Sequence, residues 1–191
     1  MDHNVFQTSV KQVSQRITDE DISLLVSCVV SKELKQGEPL LKEGEVCRAF
    51  YLVEKGYLRT HYNKDGVRIN LNFTLEGNFT TNIKSFKTHE LSEFTIEAGE
   101  DTSVSIFDLD VIAKEFNSHP QIILFIRRLA MHLLLAAEEH SKLFKMYTPT
   151  ERYRYIEKNN PALLQRISLS QIASYLGVTR ETLSRIRAKK H

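Results

Sequence analysis

The chain has 191 residues, of which 41% are hydrophobic, and a formal net charge of +2. This length allows one domain or two small ones with a real core, and so mild a charge does not by itself indicate a nucleic-acid partner. Two cysteines are too few for a four-thiolate iron–sulfur site, and they form no Cys-x-x-Cys pair. No secretory signal is visible, and the longest apolar run, around His132, is far too short to span a bilayer. We therefore expect a soluble, cytoplasmic protein with no membrane partner.

The first half of the chain changes from a helical to a strand pattern. Residues 8–32 have helical spacing, with Thr18 as an N-cap. From about residue 33, short β-prone segments follow one another between glycines. Two of them, YLRTHY and VRINLNF, flank Asn63-Lys64-Asp65-Gly66 and predict a hairpin. FTIEA and SVSIFDL, joined by GEDT, predict another pair of strands, so the pattern favours a jelly-roll sandwich or barrel.

A long helical pattern follows Pro120. One apolar row is spaced alternately by four and three residues, which is typical of a helix that pairs with a partner helix: Ile122, Ile126, Leu129, Leu133, Ala136, His140 and Leu143. A second row widens the apolar face: Ile123, Ala130, Leu134, Ala137 and Phe144. The alternative is one amphipathic helix packed on its own β-domain. We favour a dimer in which one row faces the partner and the other the barrel, with His140 setting register or solvated, and not a metal ligand.

Three regions follow from these patterns. Thr148-Pro149-Thr150-Glu151 combines an N-cap, a proline suited to the first helical position and a capping box, so a new unit begins there. We predict a β-roll domain over 1–117, a dimerisation helix over 118–147 and a separate helical domain over 148–191.

The last stretch, SLSQIASYLGVTRETLSRIRAKKH, predicts two helices joined by a short turn. Ser168 begins a capping box, and Gly177 stands where the first helix must end, because glycine tolerates a left-handed backbone. Thr179 is suited to cap the second helix, while Leu183 and Ile186 pack it back on the first. This is the pattern of a helix-turn-helix, although a plain helical hairpin shares it.

The outer face of the second helix separates these two interpretations. Arg180, Glu181 and Arg185 lie near its N-terminal end, the end that a recognition helix presents to the major groove. Arginine binds guanine with two hydrogen bonds, and glutamate accepts one from cytosine. An intrahelical ion pair would explain Arg180 and Glu181 equally well, but the neighbouring basic and hydroxyl side chains suit phosphate contacts. We predict that these three residues read bases.

The order of β-roll, long helix and Gly-Val-Thr-Arg-Glu-Thr-Leu-Ser-Arg-Ile resembles the Crp/Fnr transcription regulators over nearly the whole chain. Gly44, Tyr51, Val53 and Gly56 look like the family's glycine-framed strand pattern. The resemblance implies an α+β fold with a cyclic-nucleotide-binding-like jelly roll and a C-terminal winged-helix-like helix-turn-helix. It implies a homodimer on pseudo-palindromic double-stranded DNA, with RNA polymerase and a small-molecule effector as further candidate partners.

The resemblance also assigns phosphate contacts to Ser168, Ser170, Thr179 and Thr182. We add three further side chains near the C-terminus: Ser184, Arg187 and Lys189. Arg187 and Lys189 equally suit the negative end of a helix dipole, so either role explains them.

The sensor half departs from the family pattern. Members that bind cyclic nucleotides hold the phosphate with an Arg-Ser or Arg-Thr pair and the ribose with a glutamate after a glycine. Here Gly77 is followed by Asn78, and Ser92-Glu93 stands where the basic pair is expected. Glu93 would repel a phosphate. We therefore expect no cyclic AMP, no other predicted cofactor and an unknown effector, with haem left open by the seven histidines.

Two other classes of function remain as alternatives. A metal-dependent enzyme of the cupin type needs clustered histidines, whereas His61 and His89 stand alone, so we expect no enzyme. The second is a ligand- or protein-binding module whose terminal helices do not read DNA, and the salt dependence of duplex binding would separate it from a DNA reader.

Overall fold

The computed structural model of the chain describes residues 1–115 and 119–188. Its helices are α1 (His3–Val13), α2 (Asp19–Cys28), α3 (Ile83–Thr88), α4 (Leu109–Glu115), α5 (Pro120–Met146), α6 (Pro149–Asn159), α7 (Pro161–Arg166), α8 (Leu169–Leu176) and α9 (Arg180–Ala188). Its strands are β1 (Val30–Leu34), β2 (Pro39–Leu41), β3 (Ala49–Lys55), β4 (Tyr57–Lys64), β5 (Val67–Leu75), β6 (Phe79–Thr80), β7 (Thr95–Ala98) and β8 (Thr102–Asp108).

The strands form a β-roll of two four-stranded antiparallel sheets. One sheet has the order β1-β8-β3-β6 and the other has the order β2-β7-β4-β5. Apolar side chains from both sheets meet between them, among them Val53 and Val104 from the first sheet and Leu58 and Ile96 from the second. This arrangement confirms the predicted mixed α+β class with a sandwich in its first half.

The predicted hairpin around residue 65 is present. Lys64 pairs with Val67 at its end, and the two central residues, Asp65 and Gly66, have φ values of 51° and 80°. Positive φ at both positions is what a tight two-residue hairpin turn needs, and Asp-Gly supplies it at low cost. The alternation along β4 and β5 therefore has a fixed register, with one face in the roll and the other outside it.

The predicted pairing of FTIEA with SVSIFDL is wrong, although both segments are strands. β7 pairs with β2 and β4, whereas β8 pairs with β1 and β3 in the other sheet. Between them the chain crosses from sheet to sheet at Gly99, where a side chain would overlap the ring of Tyr57 at 1.8 Å. Glycine is needed here because two segments of the chain approach closely. In the sequence alone, a glycine of this kind cannot be distinguished from one in a hairpin turn.

Helices cover the outer face of the first sheet. α1, α2, α4 and the start of α5 enclose a core that includes Phe50, Phe107 and Phe125. Thr18 caps α2 with a complete capping box, as predicted. The helical prediction for 8–32 has the wrong limits, because α1 begins at His3 and the chain is already a strand at Val30.

The long helix α5 has different surroundings along its length. Ile122, Phe125 and Leu129 are fully buried against the β-roll. By length and hydropathy alone α5 could also cross a membrane, because the whole helix of 27 residues is longer than the apolar run around His132. Its first half is joined to the β-roll by the three buried side chains.

Residues 148–188, called the terminal unit here, are built from α6 to α9, with no strand in this part of the structure. The winged part of the predicted fold is therefore not seen in these residues. α6 begins at the capping box of Thr148 and ends at Asn159, both as predicted. α7 was not predicted: Asn160 stops one helix, and Pro161 at once begins another.

Candidate functional site

Two helices of the terminal unit form the predicted pair. Ser168 caps α8 by accepting a hydrogen bond from the backbone of Gln171, and Thr179 accepts one from the backbone of Thr182 at the start of α9. Between the helices Gly177 has a φ of 68°, the left-handed conformation that the prediction required. Leu183 is fully buried against α8, so the inner face of α9 is fixed by packing.

The three predicted base-reading residues share the exposed side of α9. Arg180, Glu181 and Arg185 are all exposed, while Leu183 between them points inward. The backbone amide of Glu181 and the Thr179 hydroxyl donate hydrogen bonds to its carboxylate and lower the pKa of Glu181. It is therefore an ionised acceptor beside two guanidinium groups, which suits the edges of base pairs.

The predicted phosphate contacts lie around this face. Ser168, Ser170, Thr179, Ser184 and Arg187 are exposed, and Thr182 is half-buried. Lys189 lies outside the described residues. Because Ser168 and Thr179 already cap helices, their hydroxyls are held close to the unpaired amides at the helix starts. Helix starts of this kind favour anions.

Arg166 joins the terminal unit to the β-roll. From the end of α7 its guanidinium donates to both carboxylate oxygens of Glu76, at 2.6 and 2.9 Å, and also to Glu100. It lies 5.7 Å from the centre of the Tyr57 ring. Burial opposes the ionisation of Glu76, but the hydrogen bonds from Arg166 outweigh it and lower the pKa of Glu76. The sequence gives no signal for this site, because Arg166 is 90 residues from Glu76 and 66 residues from Glu100.

A second contact joins α8 to the edge strand β5. The backbone N–H of Asn70 donates to the hydroxyl of Ser174 at 3.0 Å, and the Asn70 side chain donates to the carbonyl of Gln171. Phe73 and Tyr175 pack edge to face, with ring centres 5.5 Å apart. Tyr57 and Phe73 belong to the same apolar cluster as the core of the terminal unit. The two parts of the chain therefore share a core.

The same outer sheet face carries a buried ion pair. Arg59 on β4 is bound to its cross-strand partner Glu97, and His61 lies 3.1 Å from the other Glu97 oxygen. Burial opposes the charge of Glu97, but its hydrogen bonds from Arg59 and His61 lower the pKa of that carboxyl. A buried pair of this kind is costly to break from one side only.

The segment 77–93, predicted as a degenerate effector pocket, holds its polar groups in internal bonds. The Asn78 amide donates to the carbonyls of Leu75 and Glu76. Ser92 is buried and accepts from Asn82 while it donates to the carbonyl of Phe94. A cavity of about 520 Å³ lies between β5, α3 and the second half of α5, and Asn78 lines it whereas Ser92 and Glu93 do not. The structure thus does not bring Gly77, Asn78, Ser92 and Glu93 together around one cavity.

The basic residues of that segment lie on or at the end of a short helix. Lys84 and Lys87 belong to α3, and His89 ends it with a φ of 59°. The ammonium of Lys84 is 2.7 Å from Glu93 and 3.3 Å from Glu90. Hydrogen bonds to these two carboxylates raise the pKa of Lys84. Its charge is therefore already compensated within the protein.

Comparison with known proteins agrees with this architecture. Residues 31–119 match the family model of the cyclic nucleotide-binding domain. A search of curated protein sequences finds no match. Similar solved structures include FixK2 from Bradyrhizobium japonicum, with 23% identity and a TM-score of 0.68 over 84% of this chain and 83% of that one.

Two more solved structures show the same likeness. The catabolite activator protein of Thermus thermophilus has 20% identity and a TM-score of 0.57, covering 93% of this chain and 85% of that one. The c-di-GMP-responsive global regulator CLP of Xanthomonas campestris has 15% identity and a TM-score of 0.68, covering 88% and 89%. At these identities the likeness concerns the fold. Residues 31–119 thus match the cyclic nucleotide-binding domain, and the chain shares the fold of these three solved structures.

Proposed function

We propose that the chain is a sequence-specific, DNA-binding transcriptional regulator of the Crp/Fnr type. The observation that carries this proposal is the exposed face of α9, where Arg180, Glu181 and Arg185 stand at the N-terminal end of a helix whose opposite side is buried. α8 and α9 then act as a helix-turn-helix, with α9 in the major groove and hydroxyls at both helix starts on the phosphates. The fold shared with regulators supports a role without enzymatic activity, in the cytoplasm.

The second apolar row of α5 supports a homodimer. Leu134 and Phe144 of that row are 47% and 39% exposed, whereas Ile122 and Leu129 of the first row are fully buried. Ile122 and Leu129 therefore pack on the β-roll at the start of the helix, and Leu134, in its second half, is left for a partner helix. Two copies would place two α9 helices in successive major grooves, about 34 Å apart on a pseudo-palindromic site. RNA polymerase is a candidate further partner.

The effector is not cyclic AMP in this proposal. A buried cyclic phosphate needs a guanidinium fork or helix-terminal amides to offset its loss of water. In segment 77–93 the cation Lys84 is bound by Glu90 and Glu93. The Ser92 hydroxyl is hydrogen-bonded to Asn82 and to the carbonyl of Phe94, so neither side chain is free to hold a phosphate.

Base reading is tested by selecting bound sequences from random duplex DNA with the wild-type chain and with Arg180→Ala and Arg185→Ala. Each variant should bind the selected site about 5- to 150-fold more weakly, corresponding to about 1–3 kcal/mol, and lose preference at one base position per half-site. Arg154→Ala is a matched control, because Arg154 is an exposed arginine on α6. Unchanged base preference in both α9 variants would show that α9 does not read bases.

Measuring the affinity for duplex DNA at several salt concentrations tests the alternative function, a ligand- or protein-binding module. Phosphate contacts make the affinity for duplex DNA fall steeply with salt. If affinity is negligible at low salt, or is independent of salt, the terminal helices serve another partner.

A further inference from the structure

One arginine lies where the end of the long helix meets the turn that leads to α9. Arg152 is in the first half of α6, and its guanidinium reaches two other helices. The Nε atom donates to the carbonyl of Tyr147, which caps the C-terminal end of α5, at 3.3 Å. The Nη1 atom donates to the carbonyl of Leu176, the last residue of α8, at 2.6 Å. A single side chain therefore joins the C-terminal ends of α5 and α8.

The contact is closely packed. The guanidinium carbon of Arg152 lies 4.7 Å from the centre of the Phe144 ring, in the last turn of α5. A methyl group added at Gly177 would lie 3.4 Å from Arg152 Nη1 and 3.6 Å from the Phe144 ring. An arginine that donates to backbone carbonyls and stacks on an aromatic ring is held more firmly than one in solvent. Arg152 is accordingly half-buried, whereas Arg154 on the same helix is exposed.

The link between the long helix and the terminal unit is short. It consists of Tyr147 and Thr148, both in extended conformation with ψ values of 139° and 161°. Short links of this kind are where hinge rotations occur. The ring of His140 on α5 lies 5.3 Å from the ring of Tyr175 on α8 and supplies a second contact between these helices. One contact alone permits rotation about it, whereas this contact and that of Arg152 together fix the angle between α5 and α8.

The direction of α8 decides the direction of α9. Leu183 of α9 is fully buried against α8, so the two helices move together, and α9 begins four residues after Leu176. On duplex DNA, each base pair added between two half-sites moves the second one by about 3.4 Å and rotates it by about 35°. A dimer with a fixed angle between α5 and α9 therefore accepts one half-site spacing and rejects its neighbours.

We propose that Arg152 is a positioning residue for α9: it fixes the angle between α5 and α9 and thereby the half-site spacing that the dimer accepts. Arg152 does not touch DNA in this proposal and acts through Leu176 and Phe144. The inference rests on the proposed function, since only a dimer that reads two half-sites has a spacing. The angle itself is a property of the free protein and is measurable without DNA.

The first experiment measures the angle in the full chain without DNA. Spin labels are attached at Glu138→Cys on α5 and Ser184→Cys on α9, both exposed positions. The background carries Cys28→Ser, and Cys47 is fully buried. An excess of unlabelled chain ensures that pulsed electron paramagnetic resonance reports the distance within one chain. Arg152→Ala should roughly double the width of this distance distribution, because the two helices then keep one contact only.

Three further variants separate this contact from general loosening. Arg154→Ala, at the exposed arginine of the same helix, should leave the width unchanged. Arg166→Ala, which breaks the ion pair with the β-roll, should broaden the distribution less than Arg152→Ala does. Phe144→Leu keeps both carbonyl hydrogen bonds and should broaden it slightly, and it decides the question if Arg152→Ala does not fold. An unchanged width in folded Arg152→Ala, or a larger effect of Arg166→Ala, would overturn the proposal.

The second experiment measures the half-site spacing. Half-sites selected by the wild-type chain are joined as inverted repeats whose spacers differ by single base pairs. The wild-type chain should prefer its best spacing about tenfold over the next, and Arg152→Ala about threefold or less, with unchanged base preference in each half-site. Arg152→Lys keeps the charge but has no planar fork for two acceptors, so it should resemble Arg152→Ala. Full recovery of the spacing preference with lysine would leave only the charge and would overturn the proposal.

The two experiments fail separately. If the wild-type chain selects no DNA sequence, the proposed function fails, and the distance measurement still decides whether Arg152 fixes the angle between α5 and α9. If sequences are selected but Arg152→Ala has the spacing preference of the wild-type chain, base reading by α9 stands and the role of Arg152 is refuted.

Discussion

The terminal unit and segment 77–93 both carry cationic side chains, but these differ in whether carboxylates of the same chain bind them. Arg180 and Arg185 are exposed and form no salt bridge with any described residue. Lys84, by contrast, is held by two carboxylates, those of Glu90 and Glu93. Counting charged residues in the sequence does not distinguish a cation that is free to bind a ligand from one that a carboxylate already neutralises. The two regions therefore differ in the pairing of their cations and not in the sign of their charge.

The largest expected effect is on the stability of the terminal unit, whose core holds the helix that carries Arg180 and Arg185. Leu183 is fully buried between α9 and α8, so Leu183→Ala removes packing and leaves a cavity. The free energy of unfolding should fall by about 2–5 kcal/mol. Urea denaturation followed by circular dichroism measures this, with exposed Ser184→Ala as a control expected to change stability by less than about 0.5 kcal/mol. A loss below 1 kcal/mol for Leu183→Ala would contradict the buried placement of α9.

A smaller effect is expected from the ion pair between the two parts of the chain. A double-mutant cycle with Arg166→Ala and Glu76→Gln should give a coupling energy of about 0.5–1 kcal/mol, because both side chains are partly exposed and screened. The pKa of Glu76 is lowered in the folded chain, so this contribution is present above the ordinary glutamate range and disappears as the pH falls through the lowered value. Urea denaturation of the four proteins over a series of pH values from 7 downward measures it. A coupling energy that did not weaken at any pH at which the proteins still fold would show that the contact is not ionic.

The smallest expected effect is on the pKa of Lys84, the cation bound by two carboxylates. Glu90→Gln combined with Glu93→Gln removes both partners of Lys84 and should return its pKa toward the ordinary lysine value. The stability of the protein should not change measurably, since all three groups are exposed. NMR titration of the lysine ammonium groups records the change, and Lys142, with its own pair of glutamates, is the control. An unchanged pKa of Lys84 would mean that its charge is not held by these carboxylates.

Local signals predicted the terminal unit well. The caps at Thr148, Ser168 and Thr179 and the left-handed Gly177 act within four residues of chain, so their chemistry is visible in the sequence. The hairpin at Asp65-Gly66 is local in the same sense. The prediction therefore holds where the decisive interactions are short-range.

Long-range packing could not be read in the same way. β7 and β8 are adjacent in sequence but belong to different sheets, because their inward residues face one core from opposite sides. The row of apolar residues on α5 has the spacing of a dimer seam, yet its second half lines a cavity. Apolar periodicity predicts that one face of a helix is buried, but it does not predict whether a partner helix, the β-roll or a cavity lies against that face. The contact of Arg166 with Glu76 has no sequence signal at all.

The position of β5 at the edge of its sheet has a consequence for aggregation. An edge strand offers unpaired N–H groups to other chains, and here Ser174 accepts the N–H of Asn70 while the terminal unit covers Tyr57 and Phe73. The terminal helices therefore also protect the β-roll. A chain cut after Tyr147 would present an open strand edge beside Tyr57 and Phe73, so we expect it to aggregate more readily than the full chain.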